Sequence, residues 1–354
     1  MQSDITESRG EPLLKVQRLV KLFSLRRGKK VLTAVNQVSF AVWPGETLAL
    51  VGESGSGKTT IGRCVLQTLP VTAGEIWFDG HNITQMSQRD LRPLRAGMQV
   101  VFQDPLDSLN PKMQVGTIID EPLREHFRLT PPERLAQVLL AMNRVGLEQD
   151  IVHAYPGQLT PSQQQRVAIA RAIASKPKLI VLDEPTSSLD PLIRSEILHL
   201  LIDLQRELGI SYLLISHDLV SVRHIAHRIA VMYLGEIVEL GPIGLVYDNP
   251  LFPYTRALLE LAPSIEKKLA GEEPRVQLTG EIPSPVDLPK GCYLASRCPF
   301  VLAECSQQHP KLEPVGSGRL SRCLRETGKL PAITYDGQGD AAEARLARPF
   351  HVIE

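Results

Sequence analysis

The stretch GESGSGKT, residues 52–59, constrains this chain more than any other. It fits the pattern G-x-x-x-x-G-K-[ST], and it stands between the apolar, branched run TLALV and the helical TIGRCVLQTL. That order predicts a buried strand, a tight loop and a helix, the context in which the motif binds phosphate. Gly52, Gly55 and Gly57 let successive backbone N–H groups turn inward as an anion nest. Ser54, Ser56 and Thr60 line the same turn, and the helix adds its positive end. Lys58 is predicted to reach the β- and γ-phosphates, and the Thr59 hydroxyl to face Mg²⁺. A nucleoside triphosphate is therefore expected.

The loop implies a doubly wound α/β architecture, and the flanking sequence agrees. From about residue 13 to 262, short branched runs alternate with amphipathic stretches, as in a largely parallel sheet. LIVLDEP and SYLLISHD read as buried strands whose polar ends face one edge, where such sheets place their ligands. Between them Ile197, Leu200, Leu201, Leu204 and Leu208 recur at helical spacing and predict a crossover helix. VLTAVNQVSFAVWPGE and GEIWFDGHNI alternate like antiparallel strands. Residues 104–175 are mostly helical in pattern. Pro263 to Pro289 is rich in proline and charge, as in a linker or wrapping segment, and 331–354 reads as a loosely held tail after a flexible start at 1–12.

With 43% hydrophobic residues in 354, the chain can bury a full core, so disorder is not expected. Lys+Arg and Asp+Glu are equal at 39 each, so no overall field recruits a polyanion. Arg26, Arg27, Lys29 and Lys30 form one basic group, which a solvated hairpin tip explains without nucleic acid. MQSDITESRG lacks the apolar segment of a secretory signal, and no apolar run approaches the roughly 18 residues of a membrane span. A soluble, cytoplasmic chain is expected.

Three strand ends carry the candidate chemistry. Asp183 closes LIVLD and is placed to hold Mg²⁺; Glu184 beside it is the candidate general base for an attacking water. His217 ends the next strand, where a neutral imidazole could bond the γ-phosphate and align Glu184. Gln103, in VVFQDP, could reach both metal and water. Phe23 is the candidate for stacking on the base.

These pieces in this order, with LTPSQQQR before LIVLDEPTSSLD, resemble the ATP-binding subunit of an ABC transporter over residues 13–262. NPLFPYTRALL, LTGEIPSP and GCYLASRCP are similar to the ATPase subunits of dipeptide and oligopeptide importers, extending the likeness to about 325. The resemblance implies a P-loop NTPase core with an antiparallel β subdomain, a helical subdomain at about 104–175 and a small Cys-containing C-terminal extension at 263–330. It further implies an ATPase at the inner face of the cell membrane. Its expected partners are a second ATPase, two transmembrane permeases and, indirectly, an extracytoplasmic solute-binding protein. In this family two ATPases sandwich two ATP molecules, each between one subunit's phosphate loop and the other's signature, Leu-Ser-Gly-Gly-Gln.

Here Leu159, Thr160, Pro161, Ser162 and Gln163 occupy the signature positions. Thr160, Ser162 and Gln163 would meet the partner's ATP, but Pro161 has no N–H and Ser162 brings a side chain where the backbone must approach phosphate. The resemblance thus implies an asymmetric heterodimer with one slow ATP site, the other using this chain's loop. A soluble, non-transport ABC ATPase is the alternative, although neither tandem ATPase domains nor a long coiled-coil insertion is evident; import of nickel or another small solute is a second alternative.

Cys292, Cys298, Cys305 and Cys323 crowd one segment, while Cys64 stands alone and reads as packing. A disulfide is disfavoured in a reducing compartment. The wide spacing suits a [4Fe–4S] cluster, as related importer subunits carry, better than zinc hooks; free buried thiols are the third reading.

Overall fold

The computed structural model describes residues 10–25, 30–104, 108–261, 276–331 and 333. Arg26, Arg27 and Lys29, the flexible start expected over 1–12 except its last three residues, and nearly all of the expected tail lie outside them.

Two sheets form the frame. Strands β1 (Leu14–Leu25), β2 (Lys30–Val42), β4 (Ala73–Phe78) and β5 (His81–Asn82) make an antiparallel sheet in the order β2-β1-β4-β5. The larger sheet is built on β3 (Thr47–Val51), β6 (Met98–Val101), β7 (Leu179–Asp183), β8 (Ser211–Ser216), β9 (Arg228–Tyr233) and β10 (Glu236–Pro242). A hairpin of β11 (Glu313–Gly316) and β12 (Arg319–Ser321) completes its order, β11-β12-β10-β9-β3-β8-β7-β6. Strands β6, β7, β8, β3 and β9 run parallel in register, and β10 turns back antiparallel.

The alternation of β3 explains the layering. Ala49 and Val51 point into a core shared with the helices, whereas Leu48 and Leu50 point into a second core shared with the antiparallel sheet. Both faces being covered, the strand reads as continuously apolar. Helix α1 (Lys58–Val65) follows β3 and α2 (Gln88–Arg95) precedes β6. The helical region holds α3 (Val115–His126), α4 (Pro131–Arg144) and α5 (Pro161–Ala174), with both α3 and α4 packed on α5. The crossover helix is α6 (Pro191–Leu208); Ile197, Leu201 and Leu204 are buried and Leu200 and Leu208 lie partly buried against the same core. Helices α7 (Leu219–Ile225), α8 (Ile243–Asp248), α9 (Pro253–Leu261) and α10 (Ala303–Gln307) follow among the described residues.

The C-terminal segment is less detached than a linker and appendage would be. Through β12 it extends the main sheet, and the buried Glu239 carboxylate accepts from Arg319 at 2.8 Å, from Leu251 N–H at 3.0 Å and from Phe252 N–H at 2.9 Å. Among the described residues no helix is long and apolar enough to cross a membrane.

Candidate functional site

The phosphate loop runs from the end of β3 into α1, and its glycines are required by geometry. Gly52 has φ 149°, and a Cβ there would lie 2.2 Å from the Met232 carbonyl oxygen. Gly57, at φ 101°, would place one 2.3 Å from the Ala34 carbonyl oxygen. Any side chain at either position must displace backbone. Gly55 (φ 81°) faces open space, Ser54 is exposed, Ser56 is buried and Thr60 is half-buried.

Lys58 is buried and folds back on the loop. Its Nζ donates to the Gly52 carbonyl at 2.7 Å, to the Glu53 carbonyl at 2.9 Å and to Ser56 Oγ at 3.4 Å. Burial lowers its pKa, opposed by the Glu184, Asp183 and Glu53 carboxylates. With three backbone and hydroxyl acceptors holding it, the ammonium is stored beside the nest it would serve.

Parallel pairing assembles the carboxylates. Asp183 pairs with Ile215 across β7 and β8, and its Oδ1 accepts from Thr59 Oγ1 at 3.1 Å, bridging from α1. Burial pushes the Asp183 carboxyl up; the Thr59 hydrogen bond opposes this and the Glu184 charge adds to it. Thr59 and Asp183 offer only hard oxygen donors in a place where negative charge is costly, which fits Mg²⁺. Glu184 adopts φ 51°, a left-handed conformation uncommon outside glycine, and its N–H donates to the Ile215 carbonyl at 2.9 Å. That turn brings Glu184 Oε1 to 3.0 Å from His217 Nδ1. His217 is in turn placed by its neighbour. Asp218 caps α7 and binds Arg194 of α6 at 2.8 Å. Burial pushes Asp218 up, but the hydrogen bonds from Ser221 and the Arg194 charge hold its carboxyl below the usual range. Asp218 was not singled out from sequence, although its position before an apolar helix start is a capping signal.

Thr59, Asp183, Glu184 and His217 are thus joined in two bonded pairs on adjacent elements. Gln103 lies just beyond β6, beside β7, and is exposed. Residues 105–107 of its loop lie outside the described residues. Phe23 is half-buried on β1 with Lys21 Nζ 5.0 Å from its ring centroid.

The Thr-Pro-Ser segment is a helix start. Thr160 is the N-cap of α5 and Pro161 its first residue. Thr160 Oγ1 accepts from Gln163 N–H at 3.3 Å, and Gln163 Oε1 accepts from Thr160 N–H at 3.0 Å, a reciprocal capping box. Pro161 costs the helix nothing, since its missing N–H belongs to an end without intrahelical partners. Both the Thr160 hydroxyl and the Gln163 amide are engaged locally, and Ser162 is half-buried.

Cys292, Cys298, Cys305 and Cys323 do line one cavity, with Phe252, Leu294, Phe300 and Leu324. The expected [4Fe–4S] cluster nevertheless gains no support. Among the described residues no group of three or more His, Cys, Asp or Glu is disposed to hold a metal ion. The cavity offers about 20 Å³, room for roughly one water molecule. Without a metal, burial pushes the Cys292 thiol up to about 12 and Cys298 up to about 11. None of the four forms a disulfide and all are partly buried, while Cys64 is fully buried in the core shared with the antiparallel sheet.

The chain matches the ABC transporter family over residues 35–187 and the oligopeptide/dipeptide transporter C-terminal region over 238–305. It belongs to the ABC transporter ATP-binding subunits. It is 40% identical over 328 residues to the dipeptide transport ATP-binding protein DppF of Haemophilus influenzae, covering 92% of this chain and 99% of that one. It is 41% identical over 325 residues to the oligopeptide transport ATP-binding protein AppF of Bacillus subtilis, covering 90% and 99%. The dimeric ATP-binding cassette MJ0796, solved with ADP and Pi, superposes with a TM-score of 0.60 at 29% identity, over 65% of this chain and 98% of that one. The fold is that of an ABC ATPase, and the subunit is an ATPase coupled to transport. ATP and Mg²⁺ belong with it.

Proposed function

We propose that this chain is the hydrolytic subunit of an importer for peptides or related solutes, at the inner face of the cell membrane, acting with two permeases, a solute-binding protein and a second, unlike ATPase. The peptide reading rests on the dipeptide and oligopeptide relatives. The asymmetric pairing rests on one contrast within the chain. Thr59–Asp183 and Glu184–His217 form complete pairs beside the phosphate loop, whereas Thr160, Pro161 and Ser162 stand at the Ser-Gly-Gly positions of the signature.

In this reading the loop N–H groups of residues 54–60 receive the β- and γ-phosphates, and Lys58 leaves the Gly52 and Glu53 carbonyls to join them. Mg²⁺, held by Thr59 and Asp183 and reached by Gln103, would neutralise charge on those phosphates. Glu184 takes the proton of the attacking water, and His217 holds Glu184 in line and bonds the γ-phosphate. Phe23 stacks on the adenine. Thr160, Ser162 and Gln163 face the partner's ATP, where the loss of the Pro161 N–H removes one donor to the transition-state anion. Such a donor is worth on the order of 3 kcal/mol, so that site turns over about a hundredfold more slowly.

Two variants in the assembled transporter test this. Glu184→Gln is expected to keep ATP binding and to lose about a hundredfold or more of hydrolysis. Restoring Ser-Gly-Gly at 160–162 is expected to change turnover far less than disrupting the partner's signature. Equal effects of disrupting either wild-type signature would refute the asymmetric arrangement.

A further inference from the structure

The C-terminal segment reaches the phosphate loop through one residue, Glu53. Its side chain meets Arg297, which lies on the turn between Cys292 and Cys298, at 3.5 Å from Arg297 Nη1 to Glu53 Oε2. The Glu53 backbone is held from another direction, its N–H donating to Tyr254 Oη of α9 at 2.8 Å. Tyr254 is fully buried and packs on Tyr233, ring centroids 4.7 Å apart. Arg297 Nη1 also lies 3.4 Å from the Tyr233 hydroxyl. Two aromatic rings and a guanidinium thus surround one loop residue.

The peptide between Gly52 and Glu53 is engaged at both ends. Its N–H faces Tyr254, and its carbonyl accepts from Lys58 Nζ at 2.7 Å. Rotating this peptide would break both bonds at once and would move the carbonyl that stores Lys58. The Glu53 carboxylate matters separately. It is a negative charge next to a nest built for a polyanion, its side chain is 31% exposed, and Arg297 is 11% exposed. Free of Arg297, that carboxylate could swing toward the phosphates and repel them. Little folding energy rests on the guanidinium itself, because its contacts are long and its Nε is buried without a hydrogen-bond partner among the described residues.

We propose that Arg297 and Tyr254 are positioning residues for the phosphate loop, Arg297 holding the Glu53 carboxylate away from the bound phosphates and Tyr254 fixing the peptide that orients Lys58. The proposal rests on ATP binding at residues 52–59. The C-terminal segment then sets nucleotide affinity although it supplies no group to the reaction.

Steady-state hydrolysis by the intact transporter, with MgATP varied, tests it. Arg297→Gln is expected to raise KM for ATP about fivefold, the worth of one ordinary hydrogen bond, with kcat within about twofold. Adding Glu53→Gln to Arg297→Gln should return KM close to that of the wild type, since the misplaced charge is gone. Arg297→Lys should fall between. Tyr254→Phe should also raise KM, and Glu53→Gln should not correct it, because the Tyr254 bond is to backbone. An unchanged KM in Arg297→Gln would overturn the proposal, and so would a double variant as impaired as the single one, which would mark Arg297 as merely structural. Lys58→Ala separates the two levels of inference: if it leaves KM unaltered, the ATP site itself is misplaced.

Discussion

Arg319→Met should be among the most damaging single changes outside the nucleotide site. Glu239 is 0% exposed and Arg319 8%, so neither charge can be solvated by water. Arg319 Nη2 donates to Glu239 Oε1 at 2.8 Å, while the same carboxylate accepts the N–H groups of Leu251 and Phe252. The carboxylate therefore ties β10 to β12 and to the segment leading into α9, which carries Tyr254. Removing the guanidinium leaves a buried anion with two amide donors and no countercharge. Breaking such a pair costs about 3–5 kcal/mol, more than the transfer of a methionine side chain recovers. Replacing both residues, Glu239→Leu with Arg319→Met, leaves no buried charge but orphans the two N–H groups at about 1–3 kcal/mol each, so the double variant should be destabilised to a similar extent as the single one. Equilibrium urea unfolding followed by fluorescence measures the loss, and limited proteolysis maps it to residues 250–330. A shift below about 1 kcal/mol in Arg319→Met would show that the buried carboxylate does not depend on this countercharge and would refute the reasoning.

Other outcomes are expected from single contacts. Gly57→Ala should abolish ATP binding, measured by nucleotide titration, because its Cβ would meet the Ala34 carbonyl at 2.3 Å; near-normal affinity would mean that the loop relaxes freely. His309 donates from Nδ1 to the Gly291 carbonyl at 2.9 Å and, when protonated, from Nε2 to Glu236 Oε1 at 3.0 Å, and the Glu236 bond raises its pKa above the ordinary 6.5. A raised imidazole stabilises the fold fully below its unfolded pKa and loses that contribution as pH rises through the folded value. The melting-temperature gap between wild type and His309→Gln should therefore be largest at pH 5.5 and shrink toward pH 8; a gap growing with pH would contradict the assignment. Thiols pushed up to about 12 and about 11 at Cys292 and Cys298 should alkylate far more slowly at pH 8 in folded than in urea-unfolded protein. Stoichiometric iron or zinc in anaerobically purified protein would show instead that the four side chains rearrange around a metal.

The sequence by itself determined where the candidate phosphate loop lies, because its geometry is local. A nest of N–H groups needs glycines at fixed spacing, and the strand before it and the helix after it are written in adjacent residues, so Gly52 to Thr59 could be read without a structure. Asp183, Glu184 and His217 were legible for a related reason: apolar strands in a parallel sheet deliver their polar ends to one edge. Pairing was not legible. That Thr59 bonds Asp183, 124 positions away, and that Glu184 turns through a left-handed conformation to meet His217 depend on which strands neighbour which. The tertiary structure alone decided the fate of the C-terminal segment. Its composition suggested a linker or wrapping segment and left a cluster, zinc and free thiols open for its cysteines, whereas the fold shows that β12 joins the main sheet, that the four cysteines line one small cavity, and that Arg297 reaches Glu53 across 244 residues. Contacts of that separation are set by strand order and buried charge, and periodicity and spacing within a single segment carry no record of either.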